Sequence, residues 1–313
     1  MSRPIIIDTD PGQDDAIGIL LALASPEELD LLGIVAVAGN VPLDLTERNA
    51  RALCELAGKP ETKVFEGCSR PLLRPLVTAE HVHGKTGLDG SNLPEPTMKL
   101  QKQHGVDWII EALLAAEDDS ITLCLFAPQT NIGMAFSKAP KVLPKVREIV
   151  FMGGGFFEGG NITPAAEFNV YVDPHAADIV LNSGIPLVMM GLDVTHKVNV
   201  NDQIIENIKK NGNKTSEFFA DLMNFYSKFH RKLYEIDETP LHDPCVIAYL
   251  IDSSIFQGKF VNVQVEEESI LTRGETVVDW WGVTGRTPNC YVMIEANHNK
   301  FFSLLSTELK KLN

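Results

Sequence analysis

The residues best suited to chemistry form an acidic segment near the N-terminus, Asp8-Thr9-Asp10-Pro11-Gly12-Gln13-Asp14-Asp15. The segment directly follows a short apolar run, which predicts a buried strand. Side chains alternate along a strand, so Asp8 and Asp10 are expected on one side of its carboxyl end. Asp14 and Asp15 then fall at the beginning of a predicted helix, where acidic residues can cap the chain.

A single acid before a helix is ordinarily an N-cap, but four carboxylates in eight residues need a counter-charge. No Lys or Arg occurs between Arg3 and Arg48 to supply that charge. A hard divalent cation held by oxygen ligands supplies it, and both Ca²⁺ and Mg²⁺ suit such ligands. The segment therefore predicts a metal site in addition to any cap.

Two enzyme chemistries fit this segment. In the first, a metal ion lowers the pKa of a water molecule and an aspartate accepts its proton. In the second, Asp8 is a nucleophile and Asp10 an acid/base in a phosphatase. The ends of the later predicted strands carry amides and glycines but no phosphate-binding cation, which favours the first: Ala38-Gly39-Asn40, Phe126-Ala127-Pro128, Met152-Gly153-Gly154 and Gly191-Leu192-Asp193.

Further polar groups follow other predicted strands or occupy loops. Asn40 can cap a helix or bind a sugar hydroxyl. The segment Asn161–Asn169, with Glu167, is either a solvated loop or a binding segment suited to an uncharged, polyhydroxylated ligand. His83 lies in a long polar loop, Arg74–His104, of a length that is usually functional or disordered.

Late in the chain, Asp243 either caps the apolar helix Cys245–Leu250 or contributes a distant metal ligand. His230 and Tyr234 are four residues apart and so share one face of a helix. At a mobile helix end they could cover a site and donate a proton to a leaving group.

The elements that must position these residues alternate between short apolar strands and longer helical segments, which predicts right-handed βαβ units. Apolar strands without polar alternation indicate a sheet buried on both faces. We therefore predict one α/β domain over residues 1–313: an open, mostly parallel, Rossmann-like sheet flanked by helices, with a small antiparallel element near the C-terminus. Predicted strands are Pro4–Asp10, Leu31–Gly39, Lys63–Gly67, Ile121–Phe126, Glu148–Gly153, Pro186–Leu192, Val261–Glu267 and Asn289–Glu295; predicted helical segments are Ala16–Ala24, Leu43–Leu56, Val106–Ala116, Ile132–Ser137, Pro174–Ser183, Asp202–Lys232 and Phe301–Leu312.

Composition narrows the function classes. The chain has 27 Lys and Arg against 42 Asp and Glu, a formal net charge of −15, which disfavours nucleic acid and anionic membranes as partners. The five cysteines are scattered without a C-x-x-C pair. There is neither a signal-peptide pattern nor an apolar run long enough for a membrane helix. We expect a reduced, soluble, cytoplasmic protein.

Together these motifs resemble the nucleoside hydrolases, the inosine–uridine-preferring ribohydrolase family. The resemblance runs from Ile5 to about Pro244 and is most specific in the acidic segment. The remaining matching motifs occur in the family's order: Ala38-Gly39-Asn40, His83-Gly84-x-Thr86-Gly87-Leu88-Asp89, Met152-Gly153-Gly154, Glu167-Phe168-Asn169 and His242-Asp243.

The resemblance implies Ca²⁺-dependent hydrolysis of the N-glycosidic bond of ribonucleosides, with a nucleoside as the small-molecule partner and a homo-oligomer, a dimer or homotetramer. Asp10 would activate water, and pyrimidine or inosine–uridine preference is expected. The implied metal ligands are Asp10, Asp15, Asp243 and the backbone carbonyl of Phe126. The implied ribose-binding residues are Asp14, Asn40, Asn161, Glu167, Asn169 and His242. The residues expected near the base are His83, His230 and Tyr234, which would bind the base or protonate it as it leaves. His242 is also expected to be catalytic.

Two alternatives stay open at this point. One is a metal-dependent phosphatase using Asp8 and Asp10, and the other is a catalytically silent nucleoside-binding protein. The presence of all four aspartates favours an enzyme over the silent protein: Asp10, Asp14, Asp15 and Asp243.

Overall fold

The computed structural model describes residues 2–234 and 238–312, and of residues 229–234 it describes the backbone alone. Its strands are short, as expected for an α/β fold. They are β1 (Arg3–Thr9), β2 (Leu29–Ala36), β3 (Val64–Glu66), β4 (Ile121–Leu125), β5 (Val146–Met152), β6 (Leu187–Met190), β7 (Asn199–Val200), β8 (Thr239–Pro240), β9 (Phe256–Val265), β10 (Thr276–Asp279) and β11 (Cys290–Ala296).

Within these described ranges, nine strands form one sheet in the order β10-β9-β11-β6-β5-β4-β1-β2-β3. All neighbours from β11 to β3 pair in parallel, whereas β9 pairs antiparallel with both β11 and β10. Strands β7 and β8 form a separate antiparallel pair. The predicted mostly parallel sheet with a small antiparallel element is confirmed.

Helices cover both faces of the sheet. They are α1 (Gln13–Ala24), α2 (Leu43–Leu56), α3 (Glu80–His83), α4 (Gly105–Ala115), α5 (Thr130–Lys138), α6 (Phe168–Val172), α7 (Pro174–Leu181), α8 (Leu192–Thr195), α9 (Asp202–Lys209), α10 (Lys214–Tyr234), α11 (Pro244–Ile251) and α12 (His298–Leu309). Two short 3₁₀ turns occupy Pro140–Lys145 and Ser253–Ile255.

The predicted elements are present, with boundaries that differ by a few residues. The clearest error is the single helical stretch Asp202–Lys232, which is two helices, α9 and α10. They are separated at Gly212, whose φ of +73° lies in the left-handed region that ends a helix. Sequence periodicity also missed α3, α6 and α8, which have four or five residues and so carry too little pattern to detect.

Strand β1 shows why the sheet is stable. Ile5 and Ile7 join the apolar core on one face, and Ile6 joins the core on the other face. All three side chains are completely buried. Burial of each such side chain stabilises the fold by about 1.5–3 kcal/mol, so β1 is fixed from both sides where it delivers the acidic segment.

Helix α1 is unusual because every residue from Gln13 to Ala24 is buried. It packs against α2, α10, α11 and α12. The acidic residues at its beginning are therefore held between β1 and a buried helix. No helix in the described part of the chain is both long and apolar enough to cross a membrane.

Candidate active site

Three carboxylates from opposite ends of the chain meet at the beginning of α1. Ligand oxygens of Asp14, Asp15 and Asp243 lie within 4.8 Å of one another, and all three residues are buried. Asp243 directly precedes α11 but makes no capping hydrogen bond with its side chain. The capping interpretation of Asp243 is therefore wrong, and its carboxylate faces the other acids.

Asp10 adjoins this group. Its Oδ2 accepts a 2.6 Å hydrogen bond from the Asn40 amide, and its own amide donates to Asp15 Oδ1 at 3.2 Å. Its other oxygen, Oδ1, is buried and has no hydrogen-bond partner among the described residues. A buried carboxylate oxygen without a donor carries a large desolvation cost unless a cation or water meets it.

Burial and mutual repulsion govern the charge of these acids. Burial raises the pKa of Asp10 well above its usual value, and Asp15 and Asp14 raise it further. The pKa of Asp243 is also raised, first by burial and then by Asp14, Asp15 and Asp10. Four carboxylates with raised pKa values and an orphaned oxygen are a donor set that fits a divalent cation, which would restore their ionised forms.

Two glycines give the acids room. A Cβ on Gly39 would lie 2.0 Å from Asp10 Oδ2. A Cβ on Gly12 would lie 2.5 Å from His83 Nδ1 and 2.9 Å from Asn40 Nδ2. Real Cβ atoms do not approach other atoms so closely, so both positions need glycine for the polar groups to converge.

Asp8 belongs to a different environment. It is fully buried, its Oδ1 accepts a 2.6 Å hydrogen bond from Asn131 Nδ2, and burial raises its pKa to about 7. It does not line the cavity described next. A phosphatase nucleophile must reach substrate, so the structure gives no support to that role for Asp8.

A cavity of about 260 Å³ opens above the acids, at the carboxyl ends of β1, β2, β4 and β5. It brings together most of the predicted site residues: Asp14, Asn40, His83, Phe126, Asn161, Glu167, Asn169, His242 and Asp243. Asp10 and Asp15 are buried next to its floor and do not line it. The side chains of His230 and Tyr234 lie outside the described residues.

One side of the cavity is built from amides and a carboxylate. Glu167 caps α6, accepts from the Asn169 amide at 3.0 Å and the Gly154 amide at 3.0 Å, and has a pKa raised by burial. Asn169 Nδ2 donates to the Phe126 carbonyl at 2.7 Å. Asn161 Oδ1 accepts from the Phe168 amide at 2.9 Å. These hydrogen bonds hold the side chains in fixed orientations, which suits recognition of sugar hydroxyls.

The other side carries imidazole rings. His83 Nδ1 lies 2.5 Å from Gln13 Oε1, and its ring stacks on Tyr226 with centroids 5.8 Å apart. His242 Nδ1 lies 2.8 Å from Thr195 Oγ1, and its ring lies 5.9 Å from that of His196.

The sequence analysis assigned no site role to several residues that line the cavity, although Met152, Ile162 and Phe168 lie in segments it singled out. These residues are chiefly His81, Met152, Ile162, Phe168, His196, Asn199 and Tyr226. Tyr226 lies four residues before His230 and eight before Tyr234, so the helical spacing was a usable signal. His196 lies just beyond a predicted strand end, where ligands bind in α/β folds.

Comparison with known proteins defines the class. The family model "Inosine-uridine preferring nucleoside hydrolase" matches residues 5–303. The chain therefore belongs to the inosine–uridine preferring nucleoside hydrolase family, and it is a ribonucleoside hydrolase.

Individual relatives align with this chain over nearly their whole lengths. An uncharacterized protein of Schizosaccharomyces pombe is 47% identical over 98% of this chain and 99% of its own. "Pyrimidine-specific ribonucleoside hydrolase RihA" of Klebsiella pneumoniae is 42% identical over 99% of both chains.

Solved structures of nucleoside hydrolases also superpose on nearly the whole chain. A plant nucleoside hydrolase, PpNRh1, superposes with a TM-score of 0.92 at 32% identity over 99% of both chains. A purine-preferring ribonucleoside hydrolase from Gardnerella vaginalis gives 0.90 at 31% identity over 98% of both chains.

Proposed function

We propose that this chain hydrolyses the N-glycosidic bond of pyrimidine ribonucleosides in a Ca²⁺-dependent reaction. The observation that carries the proposal is the convergence of four carboxylates at the floor of the cavity, those of Asp10, Asp14, Asp15 and Asp243. The cavity is lined by amides and a carboxylate suited to sugar hydroxyls and by aromatic rings suited to a base. The donor set consists of oxygens only, which suits a hard divalent cation, and the family resemblance favours Ca²⁺ over Mg²⁺.

The residues proposed to hold the cation are Asp10, Asp15, Asp243 and the carbonyl of Phe126. When bound, the cation supplies positive charge that balances these carboxylates and makes a nearby water molecule more acidic. The Phe126 carbonyl already accepts a hydrogen bond from Asn169, which fixes its direction and leaves a second lone pair.

The chain's own groups then divide the reaction between them. Asp14, Asn40, Asn161, Glu167, Asn169 and His242 hold the ribose. Asp10 accepts the proton of the attacking water through Oδ1 as oxygen bonds to C1′. The C1′–N bond breaks, its electron pair leaves with the base, and the base gains a proton from the imidazole side. The carboxylates stabilise the positive charge that develops on the ribose.

Candidate proton donors are His83, His242, His230 and Tyr234. His83 and His242 line the cavity, and their Nδ1 atoms are held by Gln13 and Thr195. A histidine titrates near neutral pH, which suits it to donate a proton to a departing base.

Pyrimidine preference is supported by the RihA relatives, which are described as pyrimidine-specific and are 42–43% identical. The cavity of about 260 Å³ must accept both ribose and base, and a single-ring base needs less space.

The decisive experiment measures reducing sugar released from uridine, cytidine, inosine and adenosine, with Ca²⁺ or Mg²⁺ restored after chelation. We expect turnover of uridine and cytidine with Ca²⁺, and a melting temperature that rises by several degrees when Ca²⁺ is added. Equal activity after complete chelation would exclude the metal role. Faster hydrolysis of inosine or adenosine would reject the pyrimidine preference alone.

Nucleosides are expected to be better substrates than nucleotides. No Lys or Arg lines the cavity among the described residues, whereas Asp14, Glu167 and Asp243 do. A 5′-phosphate would therefore meet like charge without a cationic partner. We expect kcat/KM for UMP to be at least about tenfold below that for uridine, and comparable values would contradict this account of the cavity.

A further inference from the structure

His196 is a cavity residue to which the reaction above gives no role. It follows α8 directly and lines the cavity beside His242, with ring centroids 5.9 Å apart and planes tilted by 56°. Its side chain is about one-third exposed, so it can meet a ligand. It therefore lies on the imidazole side, where the base is proposed to bind.

The His196 ring is oriented by an acid. Its Nδ1 lies 3.0 Å from Glu158 Oε2. An ionised carboxylate can only accept, so Nδ1 carries the proton in this contact. The second nitrogen, Nε2, has no hydrogen-bond partner within the described part of the chain. One ring nitrogen is thus used for orientation and the other remains for a ligand.

Glu158 is itself held in place. The carboxylate of Asp193 accepts hydrogen bonds from the amides of Phe156, Phe157 and Glu158 at 2.7, 2.6 and 3.1 Å. Asp193 is buried within α8. The loop that carries Glu158 is therefore fixed to the helix that precedes His196.

The same short helix also orients the neighbouring imidazole. Thr195, the last residue of α8, contacts His242 Nδ1 at 2.8 Å. Asp193 thus anchors the loop that carries Glu158, Thr195 contacts His242, and His196 follows directly and is oriented by Glu158. Such preorganisation is what a hydrogen bond to substrate requires, since it lowers the entropy lost on binding.

We propose that His196 is a specificity-determining residue that hydrogen-bonds the nucleobase through Nε2, and that Glu158 is its positioning residue. This inference rests on the proposed function, because it places ribose over the carboxylates and the base on the imidazole side. It adds a base contact that the acid cluster and the proton donors do not supply.

The test separates the base from the sugar by changing the leaving group. Kinetics are measured with uridine and with 4-nitrophenyl β-D-riboside, which keeps the ribose but lacks the heterocycle and needs no protonation. We expect His196→Ala to lower kcat/KM for uridine about 10–100-fold and to change the nitrophenyl riboside by less than about threefold. His196→Asn serves as a second variant, and thermal melting confirms that both are folded.

Variants of Glu158 test its role as the positioning residue. Glu158→Ala should lower uridine hydrolysis about fivefold to tenfold, whereas Glu158→Gln, whose amide oxygen still accepts from Nδ1, should remain within about threefold of the parent. The double variant Glu158→Ala/His196→Ala should lose no more kcat/KM for uridine than His196→Ala alone. His104→Ala is the matched control, since His104 is exposed and does not line the cavity.

The outcomes are distinct. Equal losses on both substrates would assign His196 to sugar binding or to folding. Unchanged uridine kinetics would exclude a contact between His196 and the base. Either result overturns the inference while the proposed function stands. A parent enzyme inactive on every ribonucleoside and on the riboside with Ca²⁺ present would instead overturn the proposed function, and the inference with it.

Discussion

The acids at and below the floor of the cavity, here called the acid side, and the imidazole side are built in different ways. The acid side comes from one buried segment, Asp10 to Asp15, joined by a single distant residue, Asp243. The imidazole side collects rings from separate elements: His83 from α3, His196 from the end of α8 and Tyr226 from α10. The acid side is fixed by the sheet and α1, whereas the imidazole side depends on a few side-chain hydrogen bonds. On the proposed mechanism, water activation resides in the part fixed by the sheet and α1, whereas base recognition and protonation of the leaving base reside in the part held by side-chain hydrogen bonds.

The largest expected effect tests the acid side. Asp10→Ala removes the proposed base and one cation ligand, so we expect reducing-sugar release from uridine to fall by at least about 10³-fold. The fold should persist in circular dichroism, because β1 keeps both apolar faces. Asp30→Ala is the control, since Asp30 is an exposed acid on β2. Near-normal turnover by Asp10→Ala would exclude the proposed base.

A second change displaces the same carboxylate without removing it. In Gly39→Ala the added Cβ would lie 2.0 Å from Asp10 Oδ2, so the carboxylate must move. We expect kcat to fall about 10²-fold, because displacements of about 1 Å cost rates of that order. Gly184→Ala is the control: no atom lies within 4 Å of its Cβ, and its φ of +77° affects stability alone. Equal activity of the two variants would contradict the proposed position of Asp10.

On the imidazole side, Gln13 is the corresponding support. Its side chain contacts His83 Nδ1 and donates to the carbonyls of His83 and Asp89 at 3.0 and 3.2 Å. Gln13→Ala should lower kcat/KM for uridine about tenfold and destabilise the protein by about 1–3 kcal/mol. Gln103→Ala, an exposed control, should change neither. A loss as large as that of Asp10→Ala would erase the contrast between the two sides.

The smallest expected effect concerns the loop that carries His83. Glu55 accepts hydrogen bonds from Thr97 Oγ1 and from the amides of Thr97 and Met98, and these bonds lower its pKa. The stabilisation is therefore complete above the usual pKa of 4.5 and is lost as the pH falls through the lowered folded-state value.

Glu55→Ala should accordingly lower the melting temperature by about 1–3 °C at pH 7, and by less as the pH falls below 4.5, because the carboxylate is partly solvated. Turnover should stay within about twofold. A large loss of activity would show that the loop, rather than Gln13, determines the position of His83.

The acid side and the imidazole side also differ in how well they could be predicted from the sequence. The acid cluster was predictable because three of its four members, Asp10, Asp14 and Asp15, lie within six residues directly after an apolar strand. Asp243 was identified only through the family resemblance and an ambiguous cap. His196 and Tyr226 were missed although strand-end position and helical spacing pointed to them, because neither signal reveals which cavity a ring lines. The parallel sheet was predicted from apolar runs, whereas α3, α6 and α8 were too short to leave a periodic signal.

Helix α1 has no side open to water along its whole length. Its amide protons can therefore exchange with solvent only when the packing around it is lost, so deuterium uptake there should report the opening of the entire domain. Partial unfolding at the rim of the molecule would leave Asp14 and Asp15 in place, so loss of the proposed cation site should coincide with global denaturation.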